Sequence, residues 1–124
     1  MGLINAMFGN ACETDVANLE KEYKEILCSN EQLEAAFKLI RDKIVFTNLR
    51  LIIQNTQGVT GKKREYLSIP YHSIEMFSIE TTGTFDMDSE LKIWVKGVSG
   101  PIKQEFSRNT DVKGFQRILA EHVL

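Results

Sequence analysis

The chain has little of several things, and each scarcity excludes something. It has two cysteines, Cys12 and Cys28, in 124 residues. A helix expected from about Asp15 to Leu27 puts them near its opposite ends, more than ~20 Å apart at about 1.5 Å of rise per residue. A disulfide cannot span that gap, so two reduced thiols are expected, with Cys28 buried at the helix end. No apolar run approaches the length of a membrane span, and the opening MGLINAMFGNACE lacks the basic start of a secretory signal. Gly2 follows Met1, but Ala6 stands where an N-myristoylation motif needs Ser or Thr. The cytoplasm is the expected location. An excess of positive charge is missing too. With 15 Lys and Arg against 17 Asp and Glu the net charge is -2, which argues against a protein that coats nucleic acid.

Catalytic motifs are also absent. There is no Gly-rich phosphate loop, zinc spacing or nucleophile elbow. In PYHS, His72 and Ser73 are neighbours in an extended segment and point to opposite faces, so they do not form a nucleophile–base pair. His122 lies in the last turn of a helix, where a cation suits the dipole. DMDSE has the alternate acids of a calcium loop, but Leu91 and Gly97 occupy the sixth and twelfth positions, where an EF-hand needs Gly and Glu. Asp86 and Asp88 are expected to bond backbone N–H groups in a turn instead. Tyr66 and Phe85 have no basic groove around them for stacked bases. The expectation is no enzyme, no cofactor, no metal and no nucleic-acid partner.

What is present is periodicity. In DVANLEKEYKEILC, Val16, Leu19, Tyr23, Ile26 and Leu27 fall on one helical face. From Leu33 the period becomes two, and seven short strands follow with hairpin-length connections. The final stretch is helical again, with Val112, Phe115, Ile118, Leu119 and Val123 as its stripe. Thr110 or Asn109 is the expected cap, with Asp111 in the first turn. The expected organisation is an N-terminal helical segment, 1–32, and one mainly β (α+β) domain, 33–124. That domain reads as a bent antiparallel sheet or small barrel closed by the last helix.

The alternation has faults. In IEMFSIE the apolar phase slips between Met76 and Phe77, which marks a bulge or a strand covered on both faces. Trp94 sits between Lys92 and Lys96, on the polar side of its strand. Ile40, Val45 and Ile52 also fall opposite their strands' main apolar set. Two readings compete: the first helix covers this second face, or Ile52 and Trp94 belong to a subunit interface.

The segments IVFTNLRLII and TGKKREYLSIPYHSIEMFSIETTGTFDMDSELKIWV resemble the bacterial pleckstrin-homology-like domain family of small cytoplasmic proteins. The likeness runs from about Glu34 to Leu124. Its most specific parts are Ile69-Pro70-Tyr71, the turn from Glu80 to Gly83, and the run from Asp86 to Leu91. The resemblance implies two nearly orthogonal antiparallel sheets of seven strands with a capping C-terminal helix. It also implies ring-like homo-oligomers, pentamers among them. Two features depart from eukaryotic relatives: Phe115 stands where they carry a tryptophan, and the first hairpin turn, Arg41-Asp42-Lys43, is short and contains an acid.

Lys62-Lys63-Arg64 have two readings. They form the charged shoulder of a hairpin at a sheet edge, or they meet anionic head groups at about 1 kcal/mol per cation. The leading expectation is a non-catalytic, self-assembling scaffold or adaptor that binds protein partners. The alternative is a peripheral membrane adaptor that binds anionic lipid through Arg41, Lys43, Lys62, Lys63 and Arg64.

Overall fold

A computed structural model describes residues 13–40, 42–57, 63–81, 89–108 and 110–124. Helix α1 spans Glu13–Tyr23. Strands β1 (Leu33–Lys38), β2 (Lys43–Thr47), β3 (Arg50–Gln57) and β4 (Lys63–Pro70) form one antiparallel sheet in chain order. A 3-10 turn at Tyr71–Ser73 leads into β5 (Ile74–Glu80), β6 (Ser89–Val95) and β7 (Ile102–Phe106), a second antiparallel sheet. Helix α2, Val112–Val123, follows. The two sheets meet at one corner, where Leu39 bridges Phe106 and the Ile40 N–H donates to the Glu105 carbonyl. Among the described residues no ladder joins β4 to β5, so the barrel is open on that side.

Period-two alternation sends Phe37, Ile44, Phe46, Leu51 and Ile53 from the first sheet, and Leu91, Ile93 and Phe106 from the second, into one core. Fully burying each such side chain is worth about 1.5–3 kcal/mol. Helix α2 closes the core with Phe115, Ile118 and Leu119. The Phe115 ring lies 4.8–5.2 Å from those of Phe37, Phe46 and Phe106, close enough for edge contacts that add to area burial.

Three details differ from the sequence reading. The α-helix stops at Tyr23 rather than Leu27: the Ile26 and Leu27 N–H groups both end on the Tyr23 carbonyl, and beyond them the Ile26 carbonyl and the Cys28 N–H are taken by Arg50 and Glu31. Cys28 is consequently exposed rather than buried, and Cys12 lies outside the described residues. The cap of α2 is Asp111, whose carboxylate accepts the Gly114 N–H at 3.0 Å. The Thr110 hydroxyl is turned instead to the Lys38 carbonyl, and Asn109 lies outside the described residues. The ladder between β5 and β6 shifts register between Ile74 and Met76, so of the two readings of the broken alternation the bulge holds, slightly earlier in the strand than the apolar slip between Met76 and Phe77.

The first sheet has a second buried face. Leu19 and Tyr23 of α1 pack on Ala36, Val45 and Ile52. Ile52 is 0% exposed within the single chain, so its burial needs no second subunit. Ile40 stays outside this cover and is 51% exposed.

Candidate interaction surfaces

Of the five cations singled out in the sequence, Arg41 and Lys62 lie outside the described residues. The strands bring Lys43 and Arg64 together, but around an acid of the chain itself. Lys43 begins β2, and its ladder partner Gln54 is in turn paired with Tyr66 on β4. Glu22 of α1 sits over this row. Its carboxylate meets Lys43 Nζ at 3.6 Å and Arg64 Nη1 at 3.1 Å, and it accepts the Tyr66 hydroxyl. Burial and the bond to Glu22 both push the Tyr66 phenol pKa up. Lys63 stands exposed at the start of the edge strand.

A second polar network seats the chain between α1 and β1, and sequence reasoning missed it. Glu31 is buried, yet its carboxylate accepts Arg50 Nε at 2.8 Å, Arg50 Nη2 at 2.9 Å, Thr47 Oγ1 at 2.6 Å and the Cys28 N–H at 3.0 Å. Burial pushes the carboxyl pKa up, but the bonds from Arg50, Thr47 and Cys28 outweigh it and hold it at about 2. Arg50 also donates to the Ser68 hydroxyl and the Ile26 carbonyl. One guanidinium therefore ties the segment after α1 to β3 and β4. A sequence signal existed: Glu31 stands among polar neighbours just before the first strand, but nothing local names its partner 19 residues on.

Trp94 is half-buried on the outer face of the second sheet. Its ladder partner is Met76, 53% exposed. Both point away from the core that holds Leu91 and Ile93. No described helix or strand covers this face.

The PYHS segment is split. His72 is exposed, while Tyr71 is buried and donates its hydroxyl to the Thr47 carbonyl at 2.6 Å. Burial pushes the Tyr71 phenol above its ordinary pKa. The aromatic partner of Tyr71 is His122, stacked at 4.1 Å with the rings within 5° of parallel. His122 Nε2 lies 2.7 Å from Glu34 Oε1. Beside this pair, Ala35, Gly114 and Ile118 line a cavity of about 310 Å³. Asp86 and Asp88 lie outside the described residues.

A family model described as bacterial PH domain matches residues 2–123. The chain belongs to the bacterial PH domain family. The uncharacterized protein YjqA of Bacillus subtilis (strain 168) is 49% identical over 121 residues, 97% of each chain. The solved pleckstrin homology domain from Shewanella amazonensis SB2B is 50% identical, with a TM-score of 0.82 and 97% of each chain covered. A DUF1696 family protein with a pleckstrin-homology domain from Shewanella loihica PV-4 is 49% identical, with a TM-score of 0.78. It covers 94% of this chain and 99% of its own. The family match takes in α1 as well as the sheets, beyond the Glu34 start of the resemblance read from the sequence. In this PH domain the first hairpin is closed by the Leu39 N–H on the Asp42 carbonyl at 2.9 Å, so the β1–β2 connection is a tight turn. Phe115 takes the central place in the helix that closes the core.

Proposed function

We propose that this bacterial PH domain is a non-catalytic interaction module that self-associates and serves as a scaffold or adaptor for protein partners. The observation that carries the reading is the Met76–Trp94 pair, an apolar cross-strand pair on a sheet face that no described element covers. Tryptophan at such a place is a favoured interface anchor. Replacing Trp94 by Glu removes the anchor at little cost to the core, which lies on the other face of β6. The expected outcome is a fall in native mass to that of the 14.1 kDa chain, read by light scattering. A native mass unchanged from the wild type sinks the idea.

Attachment to anionic lipid through Arg41, Lys43, Lys62, Lys63 and Arg64 has less support. Glu22 already engages Lys43 and Arg64, and the charges that face solvent are worth about 1 kcal/mol each near an anionic leaflet. Flotation with anionic and neutral vesicles at low and physiological salt tests it; capture by neither removes it.

A further inference from the structure

His122 is the half-buried one of the chain's two histidines, and two distant parts of the chain receive it. Its ring stacks on Tyr71 of the 3-10 turn at 4.1 Å, and the Phe46 ring of β2 lies 6.2 Å away. Its Nε2 lies 2.7 Å from Glu34 Oε1 on β1, 88 positions earlier in the chain. Glu34 reaches it because β1 is irregular there. The ladder with β2 shifts register between Leu33 and Ala35, and Leu33 shares the face under α1 with Ala36. Strict alternation would put Glu34, not Leu33, on that face. The bulge turns Glu34 to α2 instead, the re-aiming that such irregularities give.

Each of these contacts is stronger with the imidazole charged. Glu34 then makes an ion pair, and charge-assisted hydrogen bonds are roughly twice as strong as neutral ones. The faces of Tyr71 and Phe46 attract a cation. The last turn of a helix, where His122 stands, favours positive charge. Partial burial works against the charge, but 22% of the side chain still meets solvent. Burial pushes the Tyr71 phenol above its ordinary pKa, so that ring stays neutral wherever a histidine titrates. The other charged groups on the adjoining cavity are Asp111, Arg117 and Glu121 of α2. Asp111 is engaged at the far end of the helix by the Gly114 N–H. Arg117 and Glu121 are exposed, one turn apart and opposite in sign. β2 offers only the Thr47 carbonyl, taken by Tyr71, with Glu31 behind it held by Arg50.

What the contact fastens is the end of α2. Ile118 and Leu119 anchor the middle of the helix in the core, while Leu124 is 95% exposed. Val123 is half-buried against the core. Among the described residues, His122 makes the one side-chain hydrogen bond from this last turn to another element. We propose that the Glu34–His122 contact is a proton-operated latch: a charged imidazole fastens the last turn of α2 to β1, and a neutral one loosens that turn beside the cavity. The latch acts within one chain and stands apart from the self-association reading.

Amide hydrogen exchange along α2 reads the latch, taken as protection relative to the unstructured rate at each pH. The two conditions are about pH 5.5 and about pH 8, on either side of the range in which histidine changes charge. Between them the wild type is expected to lose protection about threefold at Ala120–Leu124, the scale of a partly exposed ion pair. Phe115 and Leu119 should not change. His122→Phe keeps a ring against Tyr71 but cannot titrate, so its protection is expected to be equal at both pH values. Glu34→Gln keeps the shape of the acid without its charge, and should bring the last turn at pH 5.5 to the wild-type level at pH 8. His72→Gln, at the exposed histidine, should leave the wild-type difference in place. A wild type equally protected at both pH values overturns the latch. So does a pH difference that survives in His122→Phe or in Glu34→Gln, or one that disappears in His72→Gln.

Discussion

Glu31 shows how much one side chain carries. Its carboxylate takes four hydrogen bonds, two of them from Arg50. Removing one partner of such a buried pair leaves an uncompensated charge, so Glu31→Gln should cost about 3 kcal/mol in urea unfolding at neutral pH. The pH dependence has a defined sign. The folded-state pKa is about 2 against an ordinary 4.5, so the stabilisation is complete above about pH 4.5 and is lost as pH falls towards 2. Wild-type stability should therefore drop across that window, and Glu31→Gln should show a shallower drop; parallel profiles would mean that Glu31 is not the titrating group. Gly114 is a second residue-scale case. A Cβ there would lie 2.3 Å from Asp111 Oδ2, so the capping carboxylate and a side chain at 114 exclude one another. Asp111→Ala alone should cost about 1 kcal/mol. Gly114→Ala should be close to neutral in the wild type, where helix propensity and the lost cap offset, but stabilising by about 1 kcal/mol on the Asp111→Ala background. A thermal-denaturation double-mutant cycle reads that coupling, and additive effects would contradict it.

Helix α1 is legible as a helix but not as a cover. Its periodicity marks Leu19 and Tyr23 as one apolar face, and the structure lays that face on Ala36, Val45 and Ile52. Tyr23 also donates its hydroxyl to Gln54 Oε1 at 2.8 Å, so a buried polar group of β3 is satisfied from the helix. Burial pushes the Tyr23 phenol above its ordinary pKa, with Glu22 adding to the effect. Leu19→Asp should release the helix while leaving the core between the sheets closed. The expected readout is faster amide hydrogen exchange in α1 and at its contacts on β2 and β3, with β6 and α2 unchanged. Uniformly faster exchange would show instead that α1 and the sheets unfold as one unit. The strands were readable from alternation, and a fault in β5 from its failure, because a period of two registers burial directly; that the fault is a bulge between Ile74 and Met76 took the ladder itself. Which charges stand level across β5, β6 and β7 was not readable. Glu80, Glu90 and Glu105 are brought level only by strand register.

At the scale of the whole molecule, the division between a helical segment ending at 32 and a domain starting at 33 meets a physical test. Cutting there removes Leu19, Tyr23 and Glu31 together, which uncovers Val45 and Ile52 and leaves Arg50 without its carboxylate. A chain of residues 33–124 should therefore melt below the full chain and bind a hydrophobic dye; an unchanged melt would establish 33–124 as self-sufficient. The sequence by itself determined the seven strands, the two helices, the phase of the main core and the absence of catalytic motifs, because these follow from local periodicity and residue type. Tertiary structure alone decided that Ile52 is covered by the chain's own helix and that Glu22 answers Lys43 and Arg64. It alone placed Glu31 beneath Arg50 and Glu34 beside His122. Each of these depends on which distant segment lies opposite, and that is fixed by packing and register, which no local pattern encodes.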